Sequence, residues 1–150
     1  MRHGSRARHA LTLVAAWVAL GGAALPAAGT VDITVTGLRS AKGQVLVCLT
    51  READRFPNCK GSATARTAKM PATSSEVSFD HLPQGRYAVS ILHDENANGR
   101  ADRTLGMIPR EGFGFSRDAP VRMGPPKFDQ AAFELGRAGS AQTIRMRYLL

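Results

Sequence analysis

Oxygen-bearing side chains recur at every second position between residues 94 and 102. Asp94, Asn96 and Asn98 take the first, third and fifth positions of a D-x-N-x-N-G pattern, and Gly99 takes the sixth. A hard cation such as Ca²⁺ is bound by several oxygen ligands, and alternate ligands before a glycine turn bring those oxygens around one point. The spacing therefore predicts a cation-binding loop.

The pattern matches an EF-hand loop in part. Arg100, at the seventh position, would offer its backbone carbonyl, and Asp102 stands at the ninth. Leu105 stands at the twelfth, where an EF-hand carries a bidentate glutamate. Glu95 points elsewhere by its spacing, whereas Glu111 could fold back as a distal ligand. The predicted metal ligands are Asp94, Asn96, Asn98, Arg100 and Asp102, with His93 and Glu111 as additional site residues.

A metal-free loop is the alternative to a calcium site. Asp and Asn side chains also accept hydrogen bonds from the amides of their own loop, as Asx turns do. Arg100 and Arg103 would oppose a divalent cation unless their side chains point outward. The sequence leaves both interpretations open, and it predicts no other cofactor.

An enzymatic interpretation rests on His93, Asp94 and Glu111, because a histidine beside carboxylates can serve general acid–base chemistry. Ser116 lies in Gly-Phe-Ser-Arg and not in the Gly-x-Ser-x-Gly turn of hydrolases. The chain carries no HExxH motif, phosphate-binding glycine loop or cofactor fingerprint. The sequence therefore favours a non-catalytic module and predicts no catalytic residue. A metal-assisted hydrolase or enzyme accessory domain that uses His93, Asp94 and Glu111 is the alternative.

Phe113 and Phe115 alternate with glycines just after this loop. Both rings could anchor the segment in the hydrophobic core, which is the more common fate of phenylalanine. Alternatively, they form an exposed aromatic edge that binds a partner or a glycan.

The N-terminal segment has the layout of a secretory signal peptide. Arg2, Arg6 and Arg8 precede an uncharged apolar run from Leu11 to Leu25, and small residues follow. The run is shorter than a membrane-spanning helix requires. We therefore expect a signal peptide at 1–29, cleaved between Ala27 and Gly29, and an exported domain at 30–150, periplasmic or extracellular. No later stretch is apolar enough to be predicted to span a membrane.

Charge does not point to a nucleic-acid partner. The chain has 20 basic and 12 acidic residues. Three arginines lie in the predicted signal peptide, so the remaining domain has a net charge of 17 − 12 = +5. These charges are scattered, without the basic groove and interleaved aromatics that single-stranded nucleic acid requires. An envelope or extracellular protein or a glycan is the kind of partner that the sequence allows.

The two cysteines, Cys48 and Cys59, both lie in the predicted exported domain. An oxidising compartment lets such a pair form a disulfide, and their spacing is too long for a CxxC redox site. We therefore predict a structural disulfide around Phe56-Pro57-Asn58.

Short alternating segments indicate an all-β fold. Val31, Ile33 and Val35 alternate with polar residues, as expected for a half-buried strand. The pattern predicts a single antiparallel β-sandwich of about seven strands, of the immunoglobulin-like kind, in which the first two strands form a hairpin. The predicted strands cover 30–36, 44–49, 63–70, 76–79, 86–92, 128–135 and 142–149. In the segment 128–135, a helical turn could begin at Phe128 instead.

Three segments together resemble a known family. They are Phe79 to Val89 around Leu-Pro-Gln-Gly-Arg-Tyr, His93 to Gly99, and Gly106 to Ser116 with its Gly-Phe-Gly-Phe-Ser ending. This order is similar to that of DUF2141, an uncharacterised family of exported bacterial proteins, although one extra residue stands between Gly106 and Pro109. The resemblance implies a transthyretin-like or carboxypeptidase-regulatory-like sandwich, and it implies no reaction.

Overall fold

The computed structural model describes residues 28–104 and 108–150. The predicted signal peptide therefore lies outside the described residues, except for Ala28 and Gly29, and Leu105 lies outside them as well. Within the described ranges no helix is long and apolar enough to cross a membrane.

The described chain is built of strands. A single 3-10 turn, Ser116–Asp118, and one short helix, α1 (Phe128–Ala131), are the described helical elements. The strands are β1 (Ala28–Thr36), β2 (Gln44–Thr50), β3 (Arg66–Pro71), β4 (Glu76–Pro83), β5 (Gly85–Asp94), β6 (Arg103–Thr104), β7 (Ile108–Pro109), β8 (Gly112–Phe115), β9 (Phe133–Leu135) and β10 (Ser140–Arg145).

Two sheets form the sandwich that the sequence predicts. One has the order β10-β1-β4, and the other has the order β3-β2-β5-β8, with β9 also paired to β5. A separate two-stranded ribbon, β6-β7, follows the acidic loop. The pairs within the sheets are antiparallel, apart from the parallel pair of β1 and β10. The all-β sandwich class is therefore confirmed.

The predicted hairpin of the first two strands is wrong. β1 pairs with β10 and β4, whereas β2 pairs with β3 and β5. Both strands bury one alternating apolar face, so each needs apolar side chains opposite it as well as a hydrogen-bonded neighbour. The connector at 37–43 meets that need by crossing from one sheet to the other.

The main core lies between the two sheets. Val31, Ile33 and Val35 of β1 are buried there, together with Val45 and Val47 of β2. Side chains alternate across a strand, so the inward half of each strand forms the core and the outward half meets solvent or a second layer.

A second, smaller core covers the outer face of the five-stranded sheet. Phe113 and Phe115 of β8 pack there with Ala88 and Phe128, and Phe56 lies against them. The rings of Phe56 and Phe115 are 5.8 Å apart in an edge-on arrangement. The predicted disulfide is present, with the Cα atoms of Cys48 and Cys59 5.7 Å apart, and it holds the Phe56 loop over this face.

Candidate functional site

The acidic loop begins where the central strand β5 ends. His93 and Asp94 are the last two residues of β5, and both are fully buried. Successive side chains of a strand point to opposite faces of the sheet, so the side chains of His93 and Asp94 have different surroundings. The loop is therefore anchored at its entry by a strand that pairs on both sides.

Asp94 organises the turn of the loop. Its carboxylate accepts hydrogen bonds from the N–H of Asn98 at 3.1 Å and of Gly99 at 2.7 Å, and from the side-chain amide of Gln44 at 2.7 Å. These donors hold the pKa of Asp94 below its usual range, although burial of the carboxyl opposes them. Gly99 has a φ of +75°, which glycine adopts without strain.

Asn96, Asn98 and Asp102 form the exposed rim of the loop. The Asn96 amide donates to Asp102 at 2.7 Å, and the Asn98 amide donates to both Asp102 oxygens at 3.1 and 3.0 Å. The Asn96 side-chain oxygen accepts the N–H of Asn98, and that of Asn98 accepts the N–H of Arg100. The oxygen ladder thus takes the form of an Asx-turn network in this structure.

Glu111 reaches the loop from beyond the β6-β7 ribbon. Its Oε2 accepts the backbone N–H of Asp102 at 3.0 Å. Its Oε1 is buried without a hydrogen-bond partner, and the residue is only 4% exposed. Burial raises the pKa of Glu111, and the neighbouring negative charges of Asp94 and Asp102 raise it further.

Glu111 is therefore a buried carboxylate beside two others, with one oxygen unsatisfied. A buried charge of this kind is costly unless a proton, a cation or a donor neutralises it. No group of three or more His, Cys, Asp or Glu side chains within 28–104 and 108–150 is already arranged to hold a metal ion. A cation would therefore need the amide oxygens of Asn96 and Asn98, or backbone carbonyls, as well as the carboxylates.

Glu95 points away from the loop interior, as its spacing predicts. It forms an ion pair with Arg39 at 2.5 Å and accepts the hydroxyl of Ser40 at 2.6 Å. The hydrogen bonds from Arg39 and Ser40 lower the pKa of Glu95 to about 2. Arg39, Glu95, Asp102 and Glu111 all line a polar cavity of about 210 Å³.

The ring nitrogens of His93 bond to groups outside the acidic loop. Its Nε2 lies 2.9 Å from the carbonyl oxygen of Lys42, which can only accept, so Nε2 carries a proton and donates it. The hydroxyl of Tyr148 accepts the N–H of Arg39 at 3.1 Å and lies 2.7 Å from Nδ1 of His93. Both ring nitrogens are thus engaged in holding the connector and the C-terminal segment together.

Phe113 and Phe115 are buried, with 9% and 7% of their surface exposed. The interpretation of these rings as an exposed binding edge is therefore replaced by the core alternative. The reason is the second layer, because α1 and the disulfide loop cover the face of β8 that carries both rings. Gly112 and Gly114, which alternate with the two rings, face inward, and a Cβ on Gly112 would stand 2.2 Å from the Tyr148 ring.

The structure thus brings Asp94, Asn98, Asp102 and Glu111 together and leaves His93 on another face. Sequence reasoning missed Gln44, Arg39 and Tyr148 as residues that support the site. Arg39 lies in the connector between β1 and β2, and Tyr148 lies after β10, so no local spacing relates them to the loop. The sequence signal that could have pointed to Arg39 is its place in the short connector between Gly37 and Gly43.

A larger groove of about 390 Å³ lies elsewhere, between the disulfide loop and α1. Phe56, Pro57, Pro126 and Phe128 line it, with Lys127 and Asp129 at its rim. Asp129 is already paired with Arg86 at 3.0 Å. The groove has no convergent set of polar groups comparable to that around Glu111, so the acidic loop remains the candidate site.

The chain was compared with the models of known protein families. The model of a family described as an uncharacterized protein conserved in bacteria (DUF2141) matches residues 33–144. This range includes the acidic loop, Glu111 and most of the residues of both sheets, and it confirms the resemblance predicted from the three sequence segments. No curated protein and no solved structure matches the chain.

Proposed function

The chain belongs to the DUF2141 family of uncharacterized bacterial proteins, and on that premise we propose that it is an exported, non-catalytic β-sandwich module stabilised by Ca²⁺. In this proposal the cation is bound by Asp94, Asn96, Asn98, the Arg100 carbonyl, Asp102 and Glu111. The loop fixed in this way forms part of a surface that binds a protein or glycan of the cell envelope or the extracellular space.

The observation that carries the cation proposal is the unpartnered Oε1 of Glu111. This oxygen is buried beside Asp94 and Asp102, and a divalent cation would supply the missing partner and offset the repulsion among the three carboxylates. Glu111 also supplies the carboxylate that Leu105 lacks at the twelfth position of the pattern. Rotation of the Asn96 and Asn98 amides would turn their oxygens toward the ion.

The N-terminal pattern and the disulfide support export. A basic segment, an apolar run and small residues precede β1, and Cys48 and Cys59 are bonded to each other. The mature chain should lack the residues before a cut between Ala27 and Gly29. Its mass after export tests this, and an exported chain that keeps its N-terminal segment would contradict cleavage.

The non-catalytic role is supported by the position of His93. To handle a substrate proton, His93 would first have to release the Lys42 carbonyl or the Tyr148 hydroxyl. Asp94 is likewise engaged by three donors. The hydrogen bonds of His93 and Asp94 therefore hold parts of the chain together.

Calorimetric titration and thermal unfolding of EDTA-treated protein test the cation proposal. Ca²⁺ should bind with heat exchange and raise the unfolding temperature, with a gain of about 2.7 kcal/mol at a free concentration ~100 times the Kd. Asp102→Asn and Glu111→Gln should each weaken binding at least tenfold. Asp54→Asn is the matched control, because Asp54 is exposed in the disulfide loop. Absence of heat and of any thermal shift at millimolar Ca²⁺ would refute the proposal.

A further inference from the structure

The sandwich is closed along one side and open along the other. On the closed side, Phe113 of β8 and Arg147, just after β10, exchange backbone hydrogen bonds of 3.0 and 2.8 Å. On the opposite side, β3 ends one sheet and β4 ends the other. Within residues 28–104 and 108–150, the outer edge of neither strand is paired with another strand. The turn at 72–75 joins them directly, so the two edges lie next to each other.

The slit between these two edges is incompletely covered. Ala68 of β3 and Val77 and Phe79 of β4 face the main core, yet each remains half-buried. At the equivalent inward positions of the central strands, side chains such as Val31 and Ile33 have at most 1% of their surface exposed. An apolar strip therefore runs along the open side, where additional strands would bury it.

The outward faces of the two edge strands carry opposite charge. Thr67 and Lys69 are exposed on β3, and Glu76, Ser78 and Asp80 are exposed on β4. The side chains of Lys69 and Glu76 have no ion-pair or hydrogen-bond partner among the described residues. Lys69 on one free edge and Glu76 on the other thus give the two edges opposite charge, although Asp80 already accepts the Thr30 hydroxyl.

We propose that two copies of this chain pair through the open side, with β3 of each copy lying antiparallel to β4 of the other. A twofold axis along the strands, through the slit, places the three-stranded sheet of one copy in the plane of the five-stranded sheet of its partner. Both sheets then continue across the interface. This surface is remote from the acidic loop in sequence and does not depend on cation binding.

Side-chain alternation restricts the register of such a pair. Inward residues must lie opposite inward residues, so Ala68 can face Val77 of the other copy. Thr67 then lies opposite Ser78, and Lys69 lies opposite Glu76, which places opposite charges in a direct cross-strand pair. Pro71 and Pro83 end the two strands and limit the paired length.

A second copy suits this surface better than an unrelated strand does. An interface built around a twofold axis uses the same patch on both copies, and it requires that the patch complement itself. β3 and β4 meet that requirement, since the basic edge of each copy meets the acidic edge of the other, twice. One such association occupies both free edges at once and closes without forming a filament.

Analytical ultracentrifugation of the exported chain over a range of concentrations tests the proposal. A dimer should form, and hydrogen exchange should show protection in β3 and β4 that is lost on dilution. Lys69→Glu or Glu76→Lys alone should weaken the dimer at least tenfold, because each places like charges opposite each other twice. The double exchange Lys69→Glu with Glu76→Lys should restore it. Arg122→Glu, on an exposed loop, should leave the dimer unchanged.

Two results would overturn the inference. One is a monomer at every concentration up to the solubility limit. The other is a dimer that tolerates both single charge reversals, which would place the contact on another surface. Circular dichroism of each variant confirms folding, since Lys69 and Glu76 are exposed and their replacement leaves the core intact.

Discussion

The backbone N–H of Asp102 donates to Oε2 of Glu111 at 3.0 Å, while Oε1 of the same carboxylate is buried without a partner. This half-satisfied contact ties the acidic loop to the residue that precedes β8. Burial makes the charge on Glu111 unfavourable, and the neighbouring carboxylates of Asp94 and Asp102 add to this effect, whereas the N–H of Asp102 offsets it in part. The stability of the loop should therefore depend on what neutralises Glu111.

Glu111→Gln should stabilise the cation-free protein and remove its response to Ca²⁺. The neutral amide keeps the size of the side chain and can donate to the neighbouring carboxylates, so we expect a gain of about 1 kcal/mol in EDTA at neutral pH. Thermal unfolding with and without Ca²⁺ measures both effects. A lower unfolding temperature in EDTA would show that the charge of Glu111 is favourable as it stands.

The pKa of Glu111 sets the sign of a pH effect in EDTA. A carboxyl group whose folded pKa is raised contributes stability below its unfolded pKa, and that stability is lost as pH rises through the folded value. Wild type should therefore lose stability relative to Glu111→Gln as pH rises above about 4.5. Parallel pH profiles for the two proteins would contradict this.

Glu95 should show the opposite pH dependence. Its pKa is lowered to about 2 by Arg39 and Ser40, so its contribution is present above pH 4.5 and lost as pH falls from 4.5 toward 2. The ion pair is partly exposed, with 38% of the Arg39 and 23% of the Glu95 side chain accessible, so we expect about 1 kcal/mol. Urea unfolding of wild type and Glu95→Gln in EDTA should converge at acidic pH.

Much of this site follows from local sequence and the rest from distant contacts. The Asp/Asn spacing predicts a tight loop after β5, and the structure has that loop, because Asx turns and a positive-φ glycine need only neighbouring residues. Gln44 and Arg39 could not be assigned in this way. Gln44 reaches the loop because β2 pairs with β5, and Arg39 reaches it from the connector between β1 and β2.

The same distinction applies to the fold. Period-two alternation identifies β1, β2 and β5 and the buried face of each, since it depends on side chains of one strand. It does not identify the neighbour of a strand, so the pairing of β1 with β10 was not predicted and a β1–β2 hairpin was predicted wrongly. Pairing depends on how two apolar faces meet across the core.

Tyr148→Phe should destabilise the fold by about 1–3 kcal/mol, because it leaves Nδ1 of the buried His93 without its partner. The hydroxyl accepts the N–H of Arg39 and bonds to Nδ1 of His93. Tyr87→Phe is the matched control, since the Tyr87 hydroxyl donates to the carbonyl of Pro83 and does not contact His93 or Arg39. Urea unfolding compares them, and an equal or smaller loss for Tyr148→Phe would argue against its role in holding His93.

Removal of the disulfide should cost about 3 kcal/mol by loop-closure arithmetic for a separation of 11 residues. Cys48→Ser with Cys59→Ser should also free the Phe56 loop from Phe115 and Phe128, so that dyes specific for apolar surface bind. Denaturant unfolding under non-reducing conditions measures the cost. A loss below about 1 kcal/mol would show that packing alone holds the loop.

Gly112→Ala isolates the close approach of β8 to the C-terminal segment. A Cβ at Gly112 would stand 2.2 Å from the ring of Tyr148, so the ring must move away from His93, and we expect a loss of about 3 kcal/mol. Gly136→Ala is the matched control, because a Cβ there meets nothing within 4 Å. That substitution should change stability by less than about 1 kcal/mol.

The two alanine variants also separate displacement of Tyr148 from general destabilisation. If the ring moves, the imidazole nitrogen resonances of His93 should shift in Gly112→Ala and stay in place in Gly136→Ala, since Nδ1 would lose the hydroxyl now 2.7 Å away. Equal stability of both variants would mean that β8 relaxes without cost. In that case, the alternation of glycine with Phe113 and Phe115 would need an explanation other than inward crowding by Tyr148.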